Sequence, residues 1–174
     1  LGVACDNINR SADAVEAYKQ AIKINPNYFE GYNGLGIAYT KIGSHREAVE
    51  SFKKALAIKP DYLEVYYGLG LAYVRVGSYE DAVGAFKKVA EIKTMNYDAY
   101  NGLGIAYTNL KRYSEAVEAF KKAINIKPDV AELYYNLGLN YGSLGQYTKE
   151  IEAYKKAIQV KSEFTEAFFN MGIA

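Results

Sequence analysis

Apolar residues recur along the chain at the spacing of one helical face. Tyr32, Leu35 and Tyr39 are three and four residues apart, so they lie on the same side of a helix. After a short polar interval, Phe52 and Ala55 belong to a second set with the same spacing. Because mostly polar residues fill the remaining positions of the second set, the pattern predicts two amphipathic helices in succession.

Glycine and proline mark the predicted ends of these helices. Gly43 follows the first helix, and a glycine just past the last helical residue favours a helix end. Pro60 follows the second helix, which a proline prevents from continuing. The same signals recur at Gly77, Gly145, Pro26 and Pro128. We therefore expect a chain of short helices joined by tight turns.

The two-helix pattern repeats with a period of 34 residues. Tyr32, Tyr66 and Tyr100 follow one another at this spacing, and nearly every other position aligns with them. Counting Phe29 as position 1, the whole repeats are 29–62, 63–96, 97–130 and 131–164, and the partial repeats are 1–28 and 165–174. Both ends fall inside the first helix of a repeat. We therefore expect a single array that is a fragment of a longer chain.

The motif G-x-G occurs in the segment YNGLGIAYT, at 32–40 and again at 100–108. A dinucleotide-binding loop needs a preceding strand and a third glycine, and the pattern predicts neither. Here the motif lies within a predicted helix. We interpret the glycine at position 8, such as Gly36, as a packing residue that lets the first helix approach the alanine at position 20, such as Ala48.

Composition and charge exclude several classes of function. The 174 residues include 21 basic and 20 acidic side chains, for a net charge of +1, so no overall positive field favours nucleic acid. No apolar stretch approaches the roughly 18 residues of a membrane-spanning helix. The N-terminal residues lack the pattern of a signal peptide. We therefore expect a cytoplasmic protein with no transmembrane segment.

The reactive side chains do not form a recognisable catalytic or metal site. Cys5 is the only cysteine and occupies position 11, where the whole repeats have tyrosine. His45 is the only histidine and occupies position 17, which is also tyrosine in the other whole repeats. Both are therefore predicted to be packing residues. No nucleophile and base share a predicted neighbourhood, so we expect no enzymatic activity, no metal and no cofactor.

A set of residues in each period resembles the tetratricopeptide repeat. In the first whole repeat these residues are Leu35, Gly36, Tyr39, Ala48, Phe52, Ala55 and Pro60. The resemblance covers the full length, although tyrosine or phenylalanine stands where that family usually has tryptophan at position 4. It implies an all-α, right-handed solenoid of antiparallel helix pairs, with eleven helices when the partial repeats are counted.

Proteins that resemble this chain bind partners in a concave groove lined by their first helices. The resemblance implies that positions 5, 6 and 9 face this groove, namely Asn33, Gly34, Ile37, Tyr67, Gly68, Leu71, Asn101, Gly102, Ile105, Tyr135, Asn136 and Leu139. Position 9 is aliphatic and position 2 is acidic in every repeat. The glycines at position 6 are either a smooth floor for a ligand or a remnant of repeat duplication, and the sequence leaves both interpretations open.

The expected function is a non-catalytic scaffold that binds a partner peptide or helix, apolar with some basic residues, for assembly of a larger complex. The acidic position 2 excludes the C-terminal Asp-Val tail of chaperones, because like charges repel. Three alternatives stay open. The first is that the chain is the substrate-recruiting arm of an enzyme such as a glycosyltransferase. The second is a scaffold that self-associates through its open ends on an organelle or membrane surface. The third is a protein that binds anionic surfaces.

Two further expectations concern charged residues. Lysines at positions 25 and 26 are predicted to form a solvated outer row, in which glutamates at position 22 pair with lysines four residues later, as Glu50 with Lys54. Glu150 stands at position 20, where the other repeats have alanine. A carboxylate at a close helix crossing is costly, so we expect looser packing, and a hinge or contact point, around residues 138–152.

Overall fold

The computed structural model describes residues 11–172, and all the regular structure in this range is α-helical. The helices are α1 (Ser11–Ile24), α2 (Phe29–Lys41), α3 (His45–Ile58), α4 (Leu63–Val76), α5 (Tyr79–Ile92), α6 (Tyr97–Asn109), α7 (Tyr113–Ile126), α8 (Ala131–Ser143), α9 (Tyr147–Val160) and α10 (Thr165–Met171). The predicted all-α fold with two helices per period is confirmed. The first of the eleven predicted helices, together with Cys5, lies outside the described residues.

The helices form two compact units, Leu1–Val89 and Ala90–Ala174. In the first unit, α2 contacts α1, α3 and α4; in the second, α8 contacts α6, α7 and α9. Alanine at position 20 and an aromatic ring at position 24 form the core where the two helices of a repeat cross. Ala48 and Ala116 are fully buried, and the rings of Phe52 and Phe120 are 2% and 1% exposed.

The glycine at position 8 packs on the aromatic ring of position 24. A Cβ atom added to Gly36 would lie 2.6 Å from the ring of Phe52, and one added to Gly104 would lie 2.6 Å from the ring of Phe120. The nearest neighbour of this glycine is therefore the ring at position 24, and the predicted approach to the alanine at position 20 stays a prediction. The glycine makes room for a ring, which a Cβ atom at this position would overlap.

Each first helix ends where the backbone turns left-handed at position 15. Gly43, Gly77 and Gly145 have φ values of 80°, 81° and 69°. Lys111 stands at the same position of the third whole repeat and adopts a φ of 58°. This conformation suits glycine and costs other L-residues roughly 1–2 kcal/mol, because Cβ approaches a carbonyl oxygen.

Replacing Lys111 by glycine is expected to raise the free energy of unfolding by about 0.5–1 kcal/mol. The gain is smaller than the relief of strain, because glycine also adds conformational freedom to the unfolded chain. Urea unfolding followed by circular dichroism measures the change. Gly43→Ala is the control of opposite sign, since nothing lies within 4 Å of its added Cβ and only backbone strain acts there. Equal stability of Lys111→Gly and the unchanged chain would contradict the argument.

Candidate partner-binding groove

The aliphatic side chains at position 9 are unusually exposed for their type. Ile37 and Leu71 are each 40% exposed, and they lie on α2 and α4, which are in contact within the first unit. In the second unit, Leu139 on α8 is 37% exposed and Ile105 on the adjacent α6 is half-buried. Each unit therefore presents an apolar pair on neighbouring first helices.

The residues at position 5 flank these pairs and are partly built into the core. Asn33 and Tyr67 are half-buried, and the Tyr67 ring lies 5.9 Å from that of Phe86. In the second unit the Tyr135 ring is 5.2 Å from that of Phe164. These aromatic contacts fix the tyrosine rings in place and leave only part of each ring open to solvent.

The glycines at position 6 do not form an open floor. Gly34 and Gly102 are buried, and a Cβ added to Gly34 would run into the ring of Tyr18 on α1. A Cβ added to Gly68 would lie 2.9 Å from the ring of Phe52. The interpretation of Gly34 and Gly68 as a floor for a ligand is therefore wrong, because an aromatic ring of the preceding repeat occupies the space.

The second unit contains a polar network that the sequence analysis missed. The Thr108 hydroxyl donates to Oδ1 of the buried Asn140 over 3.0 Å, and Nδ2 of Asn140 donates to the carbonyl oxygen of Asn136 over 2.8 Å. Oδ1 of Asn101 is also buried and has no hydrogen-bond partner within the described residues. The available signal was Asn140 itself, which replaces the alanine of the other repeats at position 10.

The acids at position 2 differ in how far their charge is neutralised. Glu30 forms an ion pair with Lys59, with 3.2 Å between Oε1 and Nζ. The same ammonium group lies 4.3 Å from the centre of the Phe29 ring. Backbone hydrogen bonding at the start of α2, followed by the Lys59 contact, lowers the pKa of the Glu30 carboxyl. Glu64, at the same position on α4, is exposed and forms no ion pair with any described residue.

The lysine rows contact tyrosine rings instead of forming the predicted ion pairs. Lys54 lies 5.7 Å from the centre of the Tyr32 ring. Glu50 reaches Lys53 instead, three residues away, with 4.0 Å between charged atoms. The predicted pairing of Glu50 with Lys54 was therefore wrong, because a cation over an aromatic face is an attraction of its own. The second unit has the same pattern of contacts: Lys122 lies over the Tyr100 ring, and Glu118 forms an ion pair with Lys121.

Comparison with known families decides the identity of the fold. The sequence matches the family described as TPR repeat over residues 9–43, 38–77 and 106–145, and a second description, tetratricopeptide repeat, over 63–94 and 131–164. These segments cover well over half of the chain.

The chain belongs to the tetratricopeptide repeat family.

Solved TPR structures agree with this assignment. A crystal structure of MamA has a TM-score of 0.90 and 30% sequence identity, and the match covers 95% of this chain and 97% of that one. MamA 41-end from Desulfovibrio magneticus RS-1 has a TM-score of 0.90 at 21% identity, covering 94% and 92% of the two chains. YrrB, described as a TPR protein with an unusual peptide-binding site, has a TM-score of 0.89 at 22% identity, covering 97% and 87%. No curated protein sequence matches the chain.

Membership of the TPR family indicates a protein-interaction scaffold, a class that is generally non-catalytic. Between residues 11 and 172, no group of three or more histidine, cysteine or acidic side chains is placed to hold a metal ion. None of the helices in that range combines the length and the apolar character of a membrane span.

His45 is half-buried at the start of α3, and its Nδ1 makes no hydrogen bond in the described part of the chain.

The TPR crossing in the fourth whole repeat accommodates Glu150. The Tyr154 hydroxyl donates to Oε1 of Glu150 over 3.1 Å, and the carboxylate occupies space beside Gly142 that a larger side chain would fill. Burial, with a smaller contribution from Glu150, raises the pKa of Tyr154 far above its usual range, so the phenol remains a hydrogen-bond donor. The looser packing expected around residues 138–152 stays a prediction.

Proposed function

We propose that the chain holds a partner peptide or helix against the exposed apolar pairs of its first helices. The observation that carries this proposal is the pairing of Ile37 and Leu71. Both side chains are 40% exposed on adjacent helices, and Asn33 and Tyr67 lie one turn away from them. Burying aliphatic and aromatic surface supplies the free energy of such contacts, at about 25 cal/mol per Å² before ordering costs are subtracted.

The charge of the site favours a partner with a basic residue beside its apolar ones. Glu64 lies at the start of the helix that carries Leu71, and its carboxylate is exposed and free of ion pairs with described residues. Glu30 is already paired with Lys59, so it contributes less net charge. A partner lysine or arginine near Glu64 would fix the direction in which an apolar peptide lies across the two helices.

The experiment compares two double variants of the same chemistry. Ile37→Glu with Leu71→Glu places charge in the proposed groove. The control, Ile24→Glu with Ile42→Glu, makes the same change at aliphatic residues that do not occupy position 9. Their side chains are 86% and 45% exposed. Each protein is used to capture partners from a lysate of the source cells, and the captured protein is then purified and its dissociation constant measured directly.

We expect the groove variant to weaken binding of the purified partner at least ten-fold, since burying a charge against an apolar partner is costly. The control variant should bind within two-fold of the unchanged protein. Thermal unfolding shows whether both variants fold. Equal binding by the groove variant and the control would refute the proposal and leave another surface of the chain as the interaction site.

A further inference from the structure

A cleft lies on the opposite side of the first helix from the proposed groove. In the fourth whole repeat it encloses about 580 Å³ between α8 and α9. Its lining residues are Tyr134, Leu137, Tyr141, Lys149, Glu152, Ala153, Lys155, Lys156 and Gln159. Tyr134, Leu137 and Tyr141 occupy positions 4, 7 and 11, whereas the proposed groove uses positions 2, 5 and 9. At 100° per residue these two sets face opposite directions.

A cleft in the first unit is lined at corresponding positions and, in addition, by residues of the repeats on either side, such as Lys19 and Asp81. There it encloses about 900 Å³, and Tyr32, Leu35 and Tyr39 form its apolar wall. The charges differ between the two clefts. Glu47 and Glu50 line the first-unit cleft beside its lysines, so positive and negative groups are nearly balanced.

In the fourth repeat this balance is changed by one residue. Position 19 is acidic in the three preceding whole repeats, as Glu47, Asp81 and Glu115, but it is Lys149 here. The neighbouring acid, Glu150, is not part of the cleft lining and is hydrogen-bonded to Tyr154. The fourth-repeat cleft therefore carries three lysines and one glutamate.

The three ammonium groups lack acidic partners among the described residues. Lys149 donates to the neutral amide of Gln146 over 2.9 Å and lies 5.6 Å from the centre of the Tyr141 ring, and Lys156 donates to the amide of Gln159 over 3.0 Å. Lys155 has no polar partner between residues 11 and 172, whereas Lys121, at the same position of the preceding repeat, binds Glu118 over 3.0 Å. The positive charge around this cleft is thus available to a ligand.

From this arrangement we propose that the fourth-repeat cleft is a second binding site, for an acidic protein segment that carries an aromatic or aliphatic side chain. The apolar side chain enters between Tyr134, Leu137 and Tyr141. Carboxylates on either side of it meet Lys149, Lys155 and Lys156 at the rim, where charge complementarity selects the ligand. The cleft is open to solvent, and its volume of about 580 Å³ accommodates a few side chains.

The concave form of the cleft favours a peptide over a membrane surface. The buried Leu137 lies at its floor, which a short segment reaches by inserting one side chain. Head groups of a bilayer would meet only the lysine rim and leave the floor uncovered. Binding therefore requires both parts of the ligand, the acidic flanks and the apolar centre.

The test uses fluorescence anisotropy with a defined probe. The probe is a fluorescein-labelled peptide, Asp-Glu-Phe-Leu-Glu-Asp, and two companion peptides replace either Phe-Leu by Ser-Ser or all the acids by lysine. The key variant is Lys149→Glu, which restores the acid of the other whole repeats. Lys23→Glu, at an exposed residue of α1, makes the same change in net charge away from the cleft. Lys155→Gln with Lys156→Gln is a second cleft variant that adds no acid.

We expect saturable binding of the acidic apolar probe, weakened at least ten-fold by Lys149→Glu and by the double glutamine variant, and less than two-fold by Lys23→Glu. Three results would overturn the proposal. They are an equal loss with Lys23→Glu, equal affinity for the Ser-Ser peptide, and no saturable binding up to millimolar concentration. Binding of phosphatidylserine vesicles that depends on Lys149, with none of the peptide, would likewise overturn it in favour of a membrane contact.

Discussion

Replacing Gly104 by alanine should lower the free energy of unfolding by about 1–3 kcal/mol, because the added methyl group overpacks a filled helix crossing. The new Cβ would lie 2.6 Å from the ring of Phe120, which is only 1% exposed and has no open space to enter. Helix propensity alone predicts the reverse, a gain of roughly 1 kcal/mol for alanine over glycine. Urea unfolding followed by far-ultraviolet circular dichroism distinguishes the two signs.

Gly84 offers a matched control for this prediction. It lies within α5, is exposed, and has no atom within 4 Å of an added Cβ. Gly84→Ala should therefore stabilise by up to about 1 kcal/mol. Combining Gly104→Ala with Phe120→Leu should cost less than the sum of the two single changes, since a smaller side chain makes room for the methyl group. Stabilisation by Gly104→Ala would show that the ring contact does not limit the approach of the helices.

A second effect on stability is expected from Gly142→Val, which should destabilise the second unit by about 1–2 kcal/mol, because the Glu150 side chain has to move to make room. A Cβ at Gly142 would lie 2.5 Å from Oε1 of Glu150, and the valine methyl groups would extend further into the carboxylate. Glu150 is held by the hydroxyl of the buried Tyr154, so its movement would also break that hydrogen bond. Thermal and urea unfolding measure the loss.

The compensating change sharpens this test. In the second whole repeat, Val74 and Ala82 occupy the positions of Gly142 and Glu150, and that crossing is well packed, with Ala82 fully buried. Gly142→Val combined with Glu150→Ala should therefore recover most of the stability lost by Gly142→Val alone. A double-mutant cycle gives the coupling energy, for which we expect at least about 1 kcal/mol. Strictly additive effects would mean that the two residues do not share space.

The helical architecture followed from the sequence because its signals are local and occur in every repeat. Periodic apolar residues and the glycines at position 15 predict where each helix runs and ends. Even without proline at position 32, the second helices of the second and fourth whole repeats end at Ile92 and Val160, in register with Ile58. The predicted ends therefore do not depend on a single residue type.

The contacts between helices could not be predicted in the same way. A period of 34 places Gly36 at position 8 and Gly68 at position 6 of successive repeats, but it does not say which neighbouring side chain fills the space beside each glycine. The ring of Phe52 is the nearest neighbour of both glycines, and the sequence pattern predicted neither contact. For Lys54, an acid and a tyrosine ring were both within reach, and only the packed structure shows that the ring is its partner.

The position of Phe52 also bears on how the first unit unfolds. Its ring lies between Gly36 of its own repeat and Gly68 of the next. This one side chain therefore contributes both to the stability of its own repeat and to the stability of the interface with the next repeat. In a linear array these two contributions normally set how independently each repeat opens. Because one ring supplies both contributions here, the opening of either helix pair removes packing contacts from the other pair. The amides of α2, α3 and α4 should therefore exchange with solvent hydrogen through a common, cooperative opening rather than repeat by repeat.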